Sequence, residues 1–161
     1  MAAAREGGQA DRLYLEDFHV GQTFTSGSHR MDASEIKEFA RQFDPQPFHL
    51  DEEAAKETFF GGLVASGWHT AAVSMRLQVE GGLPIAGGMI GIGGEMRWPQ
   101  PTRPGDILRV VSEIKEVTPS RSHPERGTLR VVSETRNQRD EVVQILDARL
   151  LAPRRPAAPP P

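Results

Sequence analysis

The sequence predicts an α+β protein in which an antiparallel sheet covers one central helix. Three observations carry this expectation. The first half keeps the helical spacing of apolar residues after a short opening strand. One segment within it, at about 65–80, is small or apolar on nearly every face. The second half then switches to the two-residue alternation of strands, in four successive segments.

Taken in order, MDASEIKEFARQF (31–43) places Ile36, Phe39, Ala40 and Phe43 on one helix face. Asp32 or Ser34 can cap its start. Pro45 disfavours the helical conformation at Asp44, so the helix should end there. A second short helix is expected at about 52–58, with Asp51 as N-cap and Glu52 and Glu53 in its first turn. In the segment 63–82, Trp68, Ala71, Ala72, Met75 and Val79 form an apolar stripe, and Thr70, Val73, Ser74 and Leu77 make the other faces small or apolar. A helix of that kind is expected to be buried rather than to lie on a surface. Ser66 suits its N-cap, and Gly81-Gly82 its stop.

The strand-like segments are 90–98, 106–117, 128–137 and 141–151. Leu108, Val110 and Ile114 alternate with Arg109 and Glu113, the pattern of a sheet with one wet face. Residues 137–140 read as a hairpin turn. The stretches 99–106 and 118–127 are loops by their prolines and glycines. The glycines of 81–95 contain neither a phosphate-loop Lys-Ser/Thr nor a dinucleotide fingerprint, and read as turns and bulges.

Composition bounds the rest. A chain of 161 residues suits one domain, here expected over 12–151, with disordered tails at 1–11 and at the proline-rich 152–161. Nineteen basic against 22 acidic side chains give a net charge of −3, so no broad nucleic-acid or membrane surface is advertised. The absence of cysteine excludes disulfides, a thiol nucleophile and thiolate metal sites. No apolar run approaches the roughly 18 residues of a membrane span, and the opening MAAAREGGQADR lacks the apolar region of a secretory signal. A cytoplasmic protein is expected.

The stretch RQFDPQPFHLDEE (41–53) sets Asp44 and His49 five residues apart, with Pro45 and Pro47 between them. The prolines fix φ, which lowers the entropy lost when an acid and a base are positioned. Such a pair moves protons; it is not an arrangement for nucleophilic attack. Asp, His and Pro are also ordinary turn residues, so a capping Asp44 and a backbone-bonded loop His49 fit the same spacing. Ser66-Gly67, at the start of the central helix, is a second candidate. Free N–H groups at a helix start stabilise developing negative charge, and Gly67 lets an oxygen approach its N–H closely. A plain N-cap with tight packing fits those two residues as well. Val64 stands where a G-x-S-x-G elbow needs its first glycine, which excludes a serine-hydrolase reading. His49, Asp51 and His69 lack metal-ligand spacing, and His69 reads as a core histidine.

The run Phe43-Asp44-Pro45-Gln46-Pro47-Phe48-His49, followed by Leu63-Val64-Ala65-Ser66-Gly67, resembles the MaoC-like dehydratases, which include the R-specific enoyl-CoA hydratases. Their signature reads D-x-N-P-(apolar)-H, ahead of a small-residue helix start. Arg103-Pro104-Gly105-Asp106 and Asn137-Gln138 are similar to members too, so the resemblance covers about 12–151. It implies the hot-dog fold, a sheet wrapped around one long helix, and a homodimer or higher homo-oligomer with sheets joined edge to edge. It also implies that Asp44 and His49 are the catalytic acid–base pair, and that the Gly67 N–H is the oxyanion donor with Ser66 beside it. The implied reaction is reversible syn addition of water to a trans-2-enoyl-CoA, giving an (R)-3-hydroxyacyl-CoA. No cofactor is implied, coenzyme A being carried by the acyl-CoA substrate. A hot-dog thioesterase and a non-catalytic acyl-CoA-binding protein share the fold and stay open at this point. Gln46 stands where the signature has Asn, an amide with one more methylene of reach. Loop 81–89 and Trp68 are expected to close the pocket.

Overall fold

In the computed structural model, which describes residues 12–161, the chain forms β1 (Thr23–Arg30), α1 (Ala33–Phe43), α2 (Pro47–Leu50), α3 (Glu52–Lys56) and α4 (Gly67–Leu77), followed by β2 (Ile90–Arg97), β3 (Ile107–Pro119), β4 (Arg126–Arg136) and β5 (Val142–Pro153). The five strands make one antiparallel sheet in the order β1-β3-β4-β5-β2, and α4 packs on its inner face. This is the expected α+β hot-dog arrangement. The tail expected at 1–11 lies outside the described residues.

Local sequence explains the element ends. α1 stops at Phe43, and Asp44 leaves the helical region at φ −154°, as Pro45 requires. Asp51 caps α3 by accepting from the Ala54 N–H at 2.8 Å. α2 was not expected. Pro47 stands at its first position, where a missing N–H costs nothing, and His49 falls inside this short helix rather than in a loop. Glycine shapes β2: its pairing with β5 shifts between Gly91 and Gly93, and a Cβ on Gly94 would lie 2.7 Å from the Asp147 carbonyl.

The inner face of the sheet holds two apolar clusters. Ile114, Leu129, Val131 and Leu150 belong to one, and Leu108, Val110, Val143, Val73 and Leu77 to the other. Between them runs a polar seam. Thr70, Ser74 and Gln78 follow one another at four-residue spacing on α4 and the π-helical turn Gln78–Gly82 that continues it. Thr70 Oγ1 bonds Thr102 Oγ1 at 3.0 Å, and Ser74 Oγ bonds Thr135 Oγ1 at 2.6 Å. Gln78 Nε2 donates to Ser112 Oγ at 3.1 Å and to Ser133 Oγ at 2.8 Å.

The helix is not buried all round, which corrects the expectation for its apolar stripe. His69, Thr70, Val73, Ser74 and Leu77 are buried, whereas Trp68 is 62% exposed, Met75 42% and Val79 53%. The sheet covers one side of α4, and the other lies open beside the edge strand β2, whose Ile90 and Ile92 are each 54% exposed. At the far end, β5 runs to Pro153 with Ala152 fully buried, past the boundary expected at 151. Arg154 then meets Glu16 at 2.9 Å and Arg155 meets Asp17 at 2.7 Å, which ties the chain end to the start of the described residues.

The seam makes a stability prediction. Gln78→Met keeps side-chain volume but leaves the Ser112–Ser133 pair without its amide donor. Urea unfolding should show a loss of about 1–3 kcal/mol, and an unchanged midpoint would mean that the seam does not hold the helix.

Candidate active site

Asp44 and His49 converge because α1 ends where Pro45 begins and α2 starts two residues later. His49 Nε2 lies 3.2 Å from Asp44 Oδ2, and both side chains are largely buried. The segment leading into α4 is threaded alongside. Val64 N–H donates to the Phe48 carbonyl at 3.0 Å, and Ala65 N–H to the Thr102 carbonyl at 2.9 Å. Those bonds deliver Ser66 and Gly67 to the acid–base pair.

The hydrogen bonds fix the chemistry of each group. His49 Nδ1 is 2.7 Å from the Val64 carbonyl, which can only accept, so Nδ1 carries a proton and donates. In a neutral ring Nε2 is then the lone-pair nitrogen, and it faces a carboxylate oxygen. One proton must lie between them, on Nε2 or supplied by a bridging water. Asp44 is held as an anion from several sides. Burial alone would raise its pKa, but hydrogen bonds from Ser66 Oγ (2.7 Å, to Oδ2) and Gln46 Nε2 (2.6 Å, to Oδ1), together with His49, bring it below the ordinary carboxylate value.

Ser66 is the expected N-cap and has a second bond that the sequence did not indicate. At the start of α4 it accepts from the Trp68 N–H at 3.2 Å, but its hydroxyl proton is given to Asp44 rather than to an incoming oxygen. The Gly67 N–H, in contrast, bonds to no acceptor among the described residues. Asp44, His49 and Gly67 border one cavity of about 410 Å³. Its walls are Phe48, Phe59, Phe60, Trp68, Trp98 and the turn Pro99–Pro101, with Thr70 and Thr102 at the base of α4.

Trp68 is placed as expected, but the other wall residues differ from the expectation. No residue of loop 81–89 borders this cavity; Trp98 and the proline turn after β2 do. Sequence reasoning treated 99–106 as a plain loop. The signal available was an aromatic residue abutting a Pro-Gln-Pro turn. Asp51 is engaged in capping α3, so it does not join His49 and His69. His69 lies on the other side of the helix, stacked on Phe39 at 4.7 Å, with Nε2 3.8 Å from Glu35 and Nδ1 without a partner among the described residues. Burial lowers its pKa.

Comparisons with known proteins place the chain in a family. The family model "MaoC like domain" matches residues 17–137. A crystal structure of the MaoC-like dehydratase from Rhodospirillum rubrum is 56% identical, covers 90% of this chain and 99% of its own, and superposes with a TM-score of 0.89. The uncharacterized protein YdeM of Bacillus subtilis is 37% identical over 131 residues, 80% of this chain and 90% of the relative. The 3-hydroxybutyryl-CoA dehydratase of Methylorubrum extorquens is 33% identical over 111 residues, 68% of each chain.

The Asp44 geometry gives a pH prediction. Its depressed pKa contributes stability that is complete above the ordinary carboxylate range and is lost as pH falls through the folded value. Ser66→Ala removes one of the donors, so the Asp44 carboxyl should titrate at higher pH in carbon-detected NMR. The acid loss of stability should move upward with it. A titration identical to wild type would remove Ser66 as the group that holds the anion.

Proposed function

The chain belongs to the MaoC-like family, a family that includes hydratases and dehydratases, and from that premise we propose that it is an R-specific enoyl-CoA hydratase, or 3-hydroxyacyl-CoA dehydratase in reverse. The observation that carries the proposal is the His49 Nε2–Asp44 Oδ2 pair at 3.2 Å, with Nδ1 committed to the Val64 carbonyl and an unused Gly67 N–H beside it.

A water bound by both Nε2 and Oδ2 from the cavity side of their 3.2 Å contact is oriented for attack on the β-carbon of a trans-2-enoyl thioester. Its oxygen bonds to that carbon, one of its protons passes to the pair, and the pair returns a proton to the α-carbon from the same face. Water is thereby added syn across the double bond, and the site ends as it began. General acid–base help of this kind supplies about 10²–10⁴-fold. Negative charge gathers on the thioester oxygen as the α-carbon becomes enolate-like. The Gly67 N–H and the α4 helix start meet it there, an interaction whose removal costs about 10²–10³ in kcat in comparable sites. Coenzyme A enters as part of the substrate, so no separate cofactor is assigned. The relative acting on 3-hydroxybutyryl-CoA makes crotonyl-CoA, its dehydration product, the natural first probe.

Purified protein is given crotonyl-CoA while loss of enoyl absorbance and release of free thiol are followed together. Hydration without thiol release is expected. Thiol release would assign a thioesterase, and neither signal a non-catalytic acyl-CoA-binding protein. Asp44→Asn and His49→Gln should each lower kcat/KM by about 10²–10⁴-fold while melting as cooperatively as wild type.

The same proposal includes a homodimer. The exposed stripe of Trp68, Met75 and Val79 adjoins the edge strand β2, which among the described residues pairs only with β5 and exposes Ile90 and Ile92. An unpaired strand edge next to an apolar helix face is a surface that a second copy can cover by extending the sheet. Met75→Glu should shift the mass found by light scattering from dimer to monomer; a wild-type monomer would overturn this part.

A further inference from the structure

Building on the proposed hydratase reading, we infer that Trp98, braced by Gln144 and Trp68, is a specificity-determining wall that confines the site to short enoyl chains. The first observation is its seat on the helix start. A Cβ built on Gly67 would lie 2.7, 2.9 and 3.0 Å from three carbons of the Trp98 indole, so the ring rests against the residue whose N–H faces the substrate oxygen. Gly67 is therefore required twice, for access to its N–H and for room under this ring.

The ring is also held in place. Its Nε1–H donates to Gln144 Oε1 at 3.0 Å, and Gln144 is only 2% exposed on β5. The Trp68 ring meets it edge-on, with centroids 5.6 Å apart and planes at 78°. Swinging Trp98 aside would leave a buried amide oxygen without its donor, so the indole is a fixed wall and not a loose flap.

The third observation is what lies beyond. Trp68 borders the catalytic cavity and also a second, separate groove of about 330 Å³, lined by Met75, Met89, Met96 and Leu146 between α4 and the sheet. A thioester whose oxygen sits on the Gly67 N–H must send its long, polar coenzyme A arm out to water. Its acyl tail, in contrast, gains from apolar surroundings. A long tail would extend past Trp68 into that groove, and the indole pair stands across the way. The tail must then end against Trp98.

The test compares hydration of crotonyl-CoA and trans-2-octenoyl-CoA by wild type, Trp98→Ala and Trp68→Ala, with melting curves to confirm folding. Wild type should favour crotonyl-CoA in kcat/KM by tenfold or more, since a single ill-fitting methylene is worth about 10–200-fold. Both variants should raise the octenoyl-to-crotonyl ratio by about tenfold or more, chiefly through a lower KM for octenoyl-CoA. Trp68→Ala keeps the inference testable if Trp98→Ala does not fold, because Trp68 lies outside the buried core; its mass by light scattering is checked alongside, since Trp68 is on the face proposed for the second copy. Equal wild-type rates on both substrates, or a ratio unmoved in the folded variants, would overturn the wall while leaving the hydratase reading intact. A wild type that hydrates neither thioester would instead overturn the reading on which the wall rests.

Discussion

The hydroxyl of Ser66 joins the two halves of the site. It accepts from the Trp68 N–H, which starts α4, and donates to Asp44, which ends α1. One small side chain thus couples the helix that presents the Gly67 N–H to the loop that presents the acid–base pair. Alanine at an N-cap typically costs about 1 kcal/mol of helix stability. The larger consequence is positional, because the relative placement of the carboxylate and of the donor proposed for the thioester oxygen runs through this bond. Catalytic groups tolerate little misplacement.

That bond is useful only if α4 cannot turn about its axis. The polar seam prevents it. An apolar helix on an apolar sheet can slide or rotate at small cost, since dispersion and burial are non-directional. Thr70, Ser74 and Gln78 each have one hydroxyl partner or pair to meet, on the 102 loop, β4 and the Ser112–Ser133 rung of β3 and β4. Any rotation would strand several buried polar groups together, and unpaired buried groups are expensive. The seam therefore trades some apolar burial for a single orientation. Gly67 follows from that orientation, as does the exposed side that carries Trp68 and Met75.

Much of this was legible in the residues. The order of helices and strands, the stop at Asp44, the caps at Asp51 and Ser66 and the hairpin at Asn137 follow from periodicity, proline and capping rules that act within a few residues. The meeting of Asp44 and His49 was open on spacing alone and came from the family resemblance; the two lie five residues apart, with His49 inside α2. What was hidden depends on long-range partners. Thr70 and Ser74 counted among the small or apolar positions and Gln78 was not singled out, although the four-residue spacing of the three marks one face. The exposed stripe of Trp68, Met75 and Val79 was taken as buried because apolarity alone cannot say which side a sheet covers. The Trp98–Gly67 contact joins residues 31 positions apart, and no local rule reports it.

Gln46 shows how a substitution within the signature can be absorbed. Its longer amide folds back and donates to Asp44 Oδ1 at 2.6 Å, so it holds the acid rather than reaching into the cavity. A carboxylate offers about four acceptor sites. Gln46 takes one and Ser66 another, on different oxygens, which leaves room for His49 or a water beside Oδ2. With donors on both oxygens, protonating Asp44 would sacrifice hydrogen bonds that the anion makes well, in keeping with its lowered pKa. In the proposed reaction, the transferable proton is then carried on the His49 Nε2 side. Asp44 remains the fixed negative charge that orients the water and stabilises the ring when it is protonated. The donors on Asp44 reinforce the ordinary order of the two groups, since a carboxyl is a stronger acid than an imidazolium.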